Sequence, residues 1–185
     1  MPELMSRPDA LALVHSHVAN GNLRKHMLST EAVMGALARR LKEPEDLWAL
    51  AGLLHDVDYD ATAKDHARHA LLSAEILEAK GLPSDLIHAV KAHAQKAPLE
   101  SSFDRALCAC DPLTGFIVSC ALIRPEKKLA PVDVAFVKNR MGEKSFSRAV
   151  DREQIKLCEQ LGLSLDEFIQ IALDAMKSIS TELGL

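Results

Sequence analysis

The chain has 185 residues, of which 48% are hydrophobic and 26% are charged, a composition that excludes a disordered or low-complexity protein. Its 22 lysines and arginines against 26 aspartates and glutamates give a formal net charge of −4, so overall basicity does not indicate a nucleic acid polymer as partner. Aromatic residues make up only 4%, too few for a platform that stacks on single strands. We therefore expect one globular domain in which any anion site is local.

The cysteines and the apolar runs indicate a compartment. The four cysteines, at positions 108, 110, 120 and 158, form no C-x-x-C pair and no framework of a stapled small domain, which favours a reducing environment. The first nine residues lack the apolar centre of a secretion signal, and the longest apolar runs, 47–54 and 116–123, are much shorter than the ~20 residues that span a bilayer. We expect a cytoplasmic protein without a membrane partner.

Apolar residues recur at helical spacing along the whole chain, and no run alternates as a half-buried strand does. Thr62-x-x-Asp65 and Ser101-x-x-Asp104 resemble capping boxes, and Gly81 is a stop signal. The sequence therefore predicts an all-α fold. The predicted helices cover residues 8–19, 23–41, 45–56, 63–80, 84–96, 102–122, 131–138, 151–161 and 165–182.

Polar side chains occupy the apolar faces of these helices, beginning with the second and third. His26 falls on the same face of its predicted helix as Val33 and Leu37, so it points where the core residues point. The third predicted helix ends in His55-Asp56, two side chains about 100° apart around the helix axis. Adjacent residues cannot share a face, yet these two can converge on two neighbouring metal ions.

The next three predicted helices each place one more polar side chain on the apolar stripe: His69, His93 and Asp111, in that order. A single histidine on such a face is more often a hydrogen-bonded core residue than a metal ligand. A buried carboxylate such as Asp111 is costly unless it is paired or bound to a metal. Taken together, six inward polar groups favour a metal site.

The order His26, His55-Asp56, Asp111 resembles the H…HD…D signature of the HD superfamily of metal-dependent phosphohydrolases. Residues 69–77, HALLSAEIL, resemble the H-x-x-x-G-A-E-I-L helix of the HDIG-type branch, and His93 follows in the next helix. The tail is similar to an uncharacterised group of predicted HD hydrolases. The resemblance implies a single HD-type domain over residues 1–185, with the helical bundle at about 22–122 and a C-terminal helical cap at about 123–185.

The chain departs from the HDIG pattern at two places. Where many relatives read H-D-I-G-K, residues 55–60 read HDVDYD, so neither the usual Gly nor the usual Lys is present. Residues 94–98 read AQKAP, so the G-Y-P motif of cyclic dinucleotide phosphodiesterases is absent. The resemblance therefore does not extend to an enzyme of cyclic dinucleotides.

The resemblance implies a site for two divalent metal ions, with a hydroxide between them that attacks phosphorus in line. Imidazoles and carboxylates together favour Fe or Mn, with Co or Zn as further candidates, over Mg. Asp56 and Asp58 are the candidate catalytic carboxylates; Asp58 either orients a ligand histidine or is a surface acid. The implied ligands are His26, His55, Asp56 and Asp111 for one ion, and Asp56, His69 and His93 for the other, with Asp56 as the bridge.

A substrate phosphate needs further positive charge, and residues 124–152 are rich in it. Such a run is as often a solvated face as a binding segment. The functional interpretation is that this segment closes over the site and holds the phosphate, as Arg and Lys clamps do. The candidate residues are Lys25, Arg124, Lys128, Lys138, Arg140 and Lys144.

The expected function is hydrolysis of a small phosphate ester or anhydride, with a nucleotide as the first candidate and no nucleic acid polymer as partner. Two alternatives stay open. A diiron HD-type oxygenase would act on a small polyol or phosphonate, and a non-catalytic HD scaffold would bind a nucleotide without turning it over.

Overall fold

A computed structural model describes residues 4–185, and within this part of the chain it contains helices and no strand, which confirms the all-α prediction. The α-helices are α1 (Arg7–His17), α2 (Gly21–Leu41), α3 (Glu45–Leu54), α4 (Tyr59–Thr62), α5 (Leu71–Ala79), α6 (Ser84–His93), α7 (Ser102–Leu122), α8 (Val134–Gly142), α9 (Arg152–Ile155), α10 (Leu165–Ser178) and α11 (Ser180–Leu183). A 3₁₀ helix covers Lys156–Leu161.

Helices α2, α3, α6 and α7 form the centre of the fold, with α2 along α3 and α7 between α2 and α6. A methyl group built on Gly52 would lie 2.6 Å from the backbone oxygen of Thr30, so only glycine permits the observed approach of α3 to α2. One turn before Gly52, Trp48 stacks on Phe103 of α7 at 5.2 Å between ring centroids. This tight packing places the end of α3, where His55 and Asp56 follow, against α2.

Helix α7 is the longest apolar element. By length and composition alone it could cross a membrane, but 61% of its most apolar window is buried inside this fold. It contacts α2, α6 and α8 to α10, so its apolar surface is accounted for by packing. The predicted capping box at its start is confirmed, because the Ser101 hydroxyl accepts from the Asp104 amide while the Asp104 carboxylate accepts from the Ser101 amide.

The predicted helix over residues 63–80 is wrong in its first half, since only α5 is helical and residues 63–70 form turns. Thr62 is not an N-cap: its buried hydroxyl donates to the Asp58 carbonyl and closes α4. Ala70 has a φ of 65°, a left-handed conformation through which a right-handed helix cannot run. His69 therefore comes from a turn, not from the face of a helix.

The C-terminal part also differs from the predicted boundaries. The helix predicted over 131–138 lies at α8, the one over 151–161 is split into α9 and the 3₁₀ helix, and the one over 165–182 breaks into α10 and α11 at Ile179. Helix α10 packs on α2 and α8, and the apolar residues on one face of it, Phe168, Ile169, Ala172 and Met176, are buried. Arg152 holds the preceding loop, since its guanidinium donates to five backbone carbonyls between residues 141 and 150.

Candidate metal centre

Asp56 lies at the middle of the candidate site, with its two carboxylate oxygens facing opposite ways. Its Oδ2 is 3.4 Å from His55 Nε2 and 3.7 Å from His26 Nε2. Its Oδ1 is 3.5 Å from the Nε2 atoms of both His69 and His93. One carboxylate therefore faces two separate pairs of imidazoles, which is the arrangement that bridging between two ions requires.

The first of these groups also contains Asp111, which projects from α7. Asp111 Oδ1 lies 3.0 Å from His26 Nε2 and 3.7 Å from His55 Nε2, and the two Nε2 atoms are 3.2 Å apart. The structure contains two groups of ligand atoms that could each hold a metal ion, one from His26, His55 and Asp111 and one from His55, Asp56 and His93. We call His26, His55, Asp56, His69, His93 and Asp111 the ligand cluster.

Hydrogen bonds at Nδ1 orient all four imidazoles of the cluster. The Nδ1 of His55 donates to the Gly52 carbonyl, and that of His93 donates to the Val90 carbonyl. The Nδ1 of His69 faces the Asp58 carboxylate at 2.9 Å. That of His26 faces Thr114 Oγ1 at 3.2 Å, and this hydroxyl itself donates to the Asp111 carbonyl.

Because Nδ1 carries the proton in each ring, the Nε2 lone pairs point at one another and at carboxylate oxygens. Lone pairs in such contact repel unless a cation lies between them. The donor set therefore fits one or more divalent ions of the type bound by imidazole and carboxylate.

The acid–base properties of the cluster agree with this geometry. Burial opposes charge on Asp56, but the imidazoles of His55 and His93 outweigh it and hold the pKa of this carboxyl well below its usual range. Burial likewise opposes ionisation of Asp111, while its contacts with His26 and His55 lower its pKa. Burial works against a charged His55, yet Asp56 and Asp111 raise its pKa well above the ordinary value. Asp56, Asp111 and His55 thus stabilise one another's charged forms.

Asp58 is a buried partner of a ligand, not a surface acid. Its Oδ1 accepts from His69 Nδ1 and its Oδ2 accepts from the Ser73 amide at 3.0 Å, while only 1% of the residue is exposed. Burial disfavours its charge, but the hydrogen bonds from His69 and Ser73 lower its pKa. Of the two predicted catalytic carboxylates, Asp56 lies among the ligand atoms, whereas Asp58 positions His69.

The cluster opens to solvent through a cavity of about 540 Å³ that we call the site cavity. Its floor is formed by three members of the cluster, His69, His93 and Asp111. The remaining lining comes from the turns on either side and from the C-terminal segment: His66, Ala94, Gln95, Lys96, Ala149 and Gln154. The segment 123–185 therefore contributes Ala149 and Gln154 to the wall of the site, and none of the predicted cations.

Lys25 is the one predicted phosphate-binding cation that the structure brings near the cluster, in a second cavity of about 400 Å³ that is also lined by His26. Arg124 and Arg140 lie over the ring of Phe136, at 5.1 and 5.3 Å from its centroid. The other three do not line either cavity: Lys138 pairs with Asp166, Lys128 donates to the Gly184 carbonyl, and Lys144 is exposed.

The cysteines before Asp111, Cys108 and Cys110, are buried and do not join the cluster. Burial raises the pKa of Cys108 to about 11, and it raises that of Cys110 well above its ordinary value. A raised pKa is typical of a buried structural cysteine and not of a reactive one.

Sequence reasoning missed four residues that shape the site: Gly52, Thr114, Gln95 and Lys96. Gly52 carried a signal, since a glycine inside an apolar helix often marks close packing. Thr114 carried no signal of its own, since nothing in the sequence marks it as the partner of His26. Gln95 and Lys96 were considered only as the replacement of another motif, and no spacing rule places them at a cavity.

Comparison with known proteins identifies the family. The model of the HD domain matches residues 23–130. The chain is similar to Ribonuclease Y of Oleidesulfovibrio alaskensis, at 30% identity over 94 residues that make up 51% of this chain and 18% of the relative. It is also similar to Ribonuclease Y of Nitratidesulfovibrio vulgaris, at 31% identity over 94 residues with the same two shares, and of Salinispora arenicola, at 28% identity over 112 residues, 59% of this chain and 19% of the relative.

The chain thus spans less than a fifth of the length of these curated relatives. No solved structure matches it with significance. The HD domain match covers more than half of the chain and includes every member of the ligand cluster. This protein therefore belongs to the HD domain family of metal-dependent phosphohydrolases.

Proposed function

We propose that this protein hydrolyses a small phosphate ester or anhydride in a metal-dependent reaction, with a nucleotide as the first candidate substrate. The observation that carries the proposal is Asp56, whose two oxygens face two separate pairs of imidazoles. A carboxylate in this position is suited to hold two ions side by side.

Two divalent ions in the cluster would supply a nucleophile from water at neutral pH and neutralise charge on the phosphoryl oxygens. The protein's own contribution is orientation. The Nδ1 hydrogen bonds keep every Nε2 lone pair directed into the cluster, and Asp111, the most exposed of the ligands with 32% of its side chain accessible, marks the side from which substrate enters. Fe or Mn remains our proposal for the ions, because imidazoles outnumber carboxylates in the cluster.

A second candidate is cleavage of phosphodiester bonds in RNA, and the name of the relatives, Ribonuclease Y, favours it. The net charge of −4 favours a small substrate instead, since a nucleic acid polymer is usually bound by an extended basic surface. The volume of the site cavity, about 540 Å³, is also in the size range of small-ligand sites.

The first experiment is elemental analysis of protein purified without chelators or metal resins, beside two histidine variants. About two ions per chain, falling to one in His93→Ala and unchanged in His15→Ala, supports the shared site. His15 is a matched control because it is exposed on α1, away from the cluster. One ion that is indifferent to the loss of His93 would contradict the two-ion site.

The second experiment is a product assay with the native metal. Release of phosphate or pyrophosphate from nucleoside mono-, di- or triphosphates supports the proposal, and cleavage of an RNA oligonucleotide alone would replace it with the second candidate. Oxygen consumption with iron and none with manganese would indicate the oxygenase alternative. Tight nucleotide binding without product under every metal would indicate the scaffold.

A further inference from the structure

The turn that ends α6 runs directly along the site cavity. The Gln95 amide donates to the Ala92 carbonyl at 3.0 Å, and the Lys96 amide donates to the Lys91 carbonyl at 2.9 Å. This is the pair of bonds of a Schellman motif, in which the residue at the Gln95 position is left-handed and usually glycine. Gln95 adopts that conformation, with a φ of 61°, despite its side chain.

A left-handed side chain is not by itself a sign of function, because Lys42 ends α2 in the same way with a φ of 60°. The two positions differ in their surroundings. Both side chains are exposed, but Lys42 lines none of the cavities described above, whereas Gln95 lines the site cavity beside His93. At Gln95, therefore, glycine would relax the backbone but would remove an amide group from the wall of the site.

Lys96 is the only lysine or arginine among the residues that line the site cavity. It is half-buried, and no carboxylate among residues 4–185 lies within ion-pair distance of its ammonium group. The one carboxylate of the lining belongs to Asp111, and its Oδ1 faces the imidazoles of the cluster. Lys96 is thus a lysine without a carboxylate partner in a cavity that is also lined by members of the ligand cluster.

We propose that Lys96 and Gln95 bind the phosphoryl group of the substrate, with the Lys96 ammonium and the Gln95 side-chain amide donating to its non-bridging oxygens. This inference rests on the proposed function and names the residues that recognise its substrate. Ammonium and amide donors suit a phosphoryl group, because its charge is spread over several acceptor oxygens.

The test measures binding of inorganic phosphate to manganese-loaded protein by isothermal titration calorimetry, together with kcat and KM for the best nucleotide. We expect Lys96→Met to weaken phosphate binding about tenfold or more and to raise KM by a similar factor. Lys91→Met is the matched control, since Lys91 is a half-buried lysine near the end of α6 that does not line the cavity. It should bind phosphate as the wild type does.

A second pair of variants separates recognition from backbone strain. Gln95→Gly should raise Tm by about 2 °C through relief of the left-handed side chain, and at the same time weaken phosphate binding at least threefold. Lys42→Gly should give the same gain in Tm with unchanged binding. A Gln95→Gly variant that is more stable and binds phosphate normally would show that Gln95 only ends the helix, and would overturn its role.

The outcomes also distinguish this inference from the proposed function. Phosphate affinity within twofold of the wild type in Lys96→Met, or no phosphate binding in the wild type, overturns the inference whatever the activity. Phosphate binding that depends on Lys96, in a protein that turns over no phosphate ester, supports the inference and contradicts the proposed hydrolysis.

Discussion

The two sides of the ligand cluster are built in different ways. On the α7 side, His26, His55 and Asp111 are carried by or directly follow regular helices, and the separation of α2 and α3 is set by backbone contact at Gly52. On the α6 side, His93 is the last residue of a helix, but His69 comes from a turn and is held by Asp58. The ligands of the α7 side are held in place by helix packing, whereas His69 on the α6 side is held in place by the buried carboxylate of Asp58.

Different substitutions are therefore expected to displace the ligands of the two sides. A ligand on a packed helix is displaced only if the helix moves, which costs global stability. A ligand on a turn can be lost by removing a single hydrogen-bond partner, while the rest of the fold stays intact. The following variants test that contrast, beginning with the residue that belongs to both sides.

Asp56→Asn should have the largest effect, because Asp56 faces the imidazoles of both sides. We expect loss of bound metal from both sides and a fall in turnover on the order of 10³-fold, as several kcal/mol of phosphoryl charge stabilisation is lost. Elemental analysis and kcat measure the two effects. Asp46→Asn, at an exposed carboxylate of α3, is the control; undiminished turnover in Asp56→Asn would refute the bridge.

Gly52→Ala tests the α7 side. The added methyl group would meet the Thr30 backbone at 2.6 Å, so the helices must separate, and we expect a loss of about 1–3 kcal/mol in the free energy of unfolding. Urea denaturation measures it. Gly35→Ala is the matched control, because its methyl group would make only ordinary contacts, at 3.5 Å with Ala49 Cβ and 3.8 Å with the Glu45 side chain. Equal stability of the two variants would mean that the helix approach does not depend on Gly52.

Asp58→Asn tests the α6 side. Loss of the charge that orients His69 should weaken one of two ions about 10–100-fold and leave the other bound, with little change in unfolding free energy. Metal titration with a competing chelator measures it. Asp60→Asn should have no such effect, since Asp60 accepts from the Ala19 and Asn20 amides and contacts no ligand. Equal weakening of both ions would contradict the independence of the two sides.

Asp104→Asn, outside the ligand cluster, has the smallest expected effect. Burial opposes charge on Asp104, but the Ser101 amide and the His88 side chain outweigh it and lower its pKa. Since the folded pKa lies below the unfolded value of about 3.9, the stabilisation is complete above that pH and is lost as pH falls through the folded pKa. We expect the variant to lose about 1 kcal/mol at pH 7 and to converge with the wild type in acid.

Thermal melts between pH 7 and pH 3 follow this difference. Asp133→Asn is the control, because Asp133 is an exposed N-cap of α8 and asparagine caps equally well. A difference between Asp104→Asn and the wild type that does not change with pH would show that the charge of Asp104 is not what stabilises the start of α7.

Much of the cluster could be foreseen because its members obey helical periodicity. His26, His93 and Asp111 lie inward for the reason that their spacing from apolar residues predicts. His69 also reaches the cluster, but the predicted helix around it is wrong, since the buried bonds of Asp58 and the left-handed Ala70 replace a helical turn. Periodicity cannot foresee a turn that a distant carboxylate stabilises.

The candidate phosphate-binding cations could not be identified from the sequence alone. The basic run at 124–152 was the natural candidate, yet Arg124 and Arg140 lie over Phe136 and Arg152 holds backbone carbonyls. Lys96, a single lysine without basic neighbours, lines the site cavity instead. Charge density along a chain does not report which side chains share a cavity.

The helical class, and the fact that most side chains of the ligand cluster point toward the core, can be predicted from the sequence, because both follow from the spacing of residues within a single helix. Only the tertiary structure decided that Asp56 faces two imidazole pairs, that Asp58 is buried against His69, and that Gln95 and Lys96 line the opening. These features depend on how closely separate helices approach, and that approach is set by packing between residues far apart in the chain.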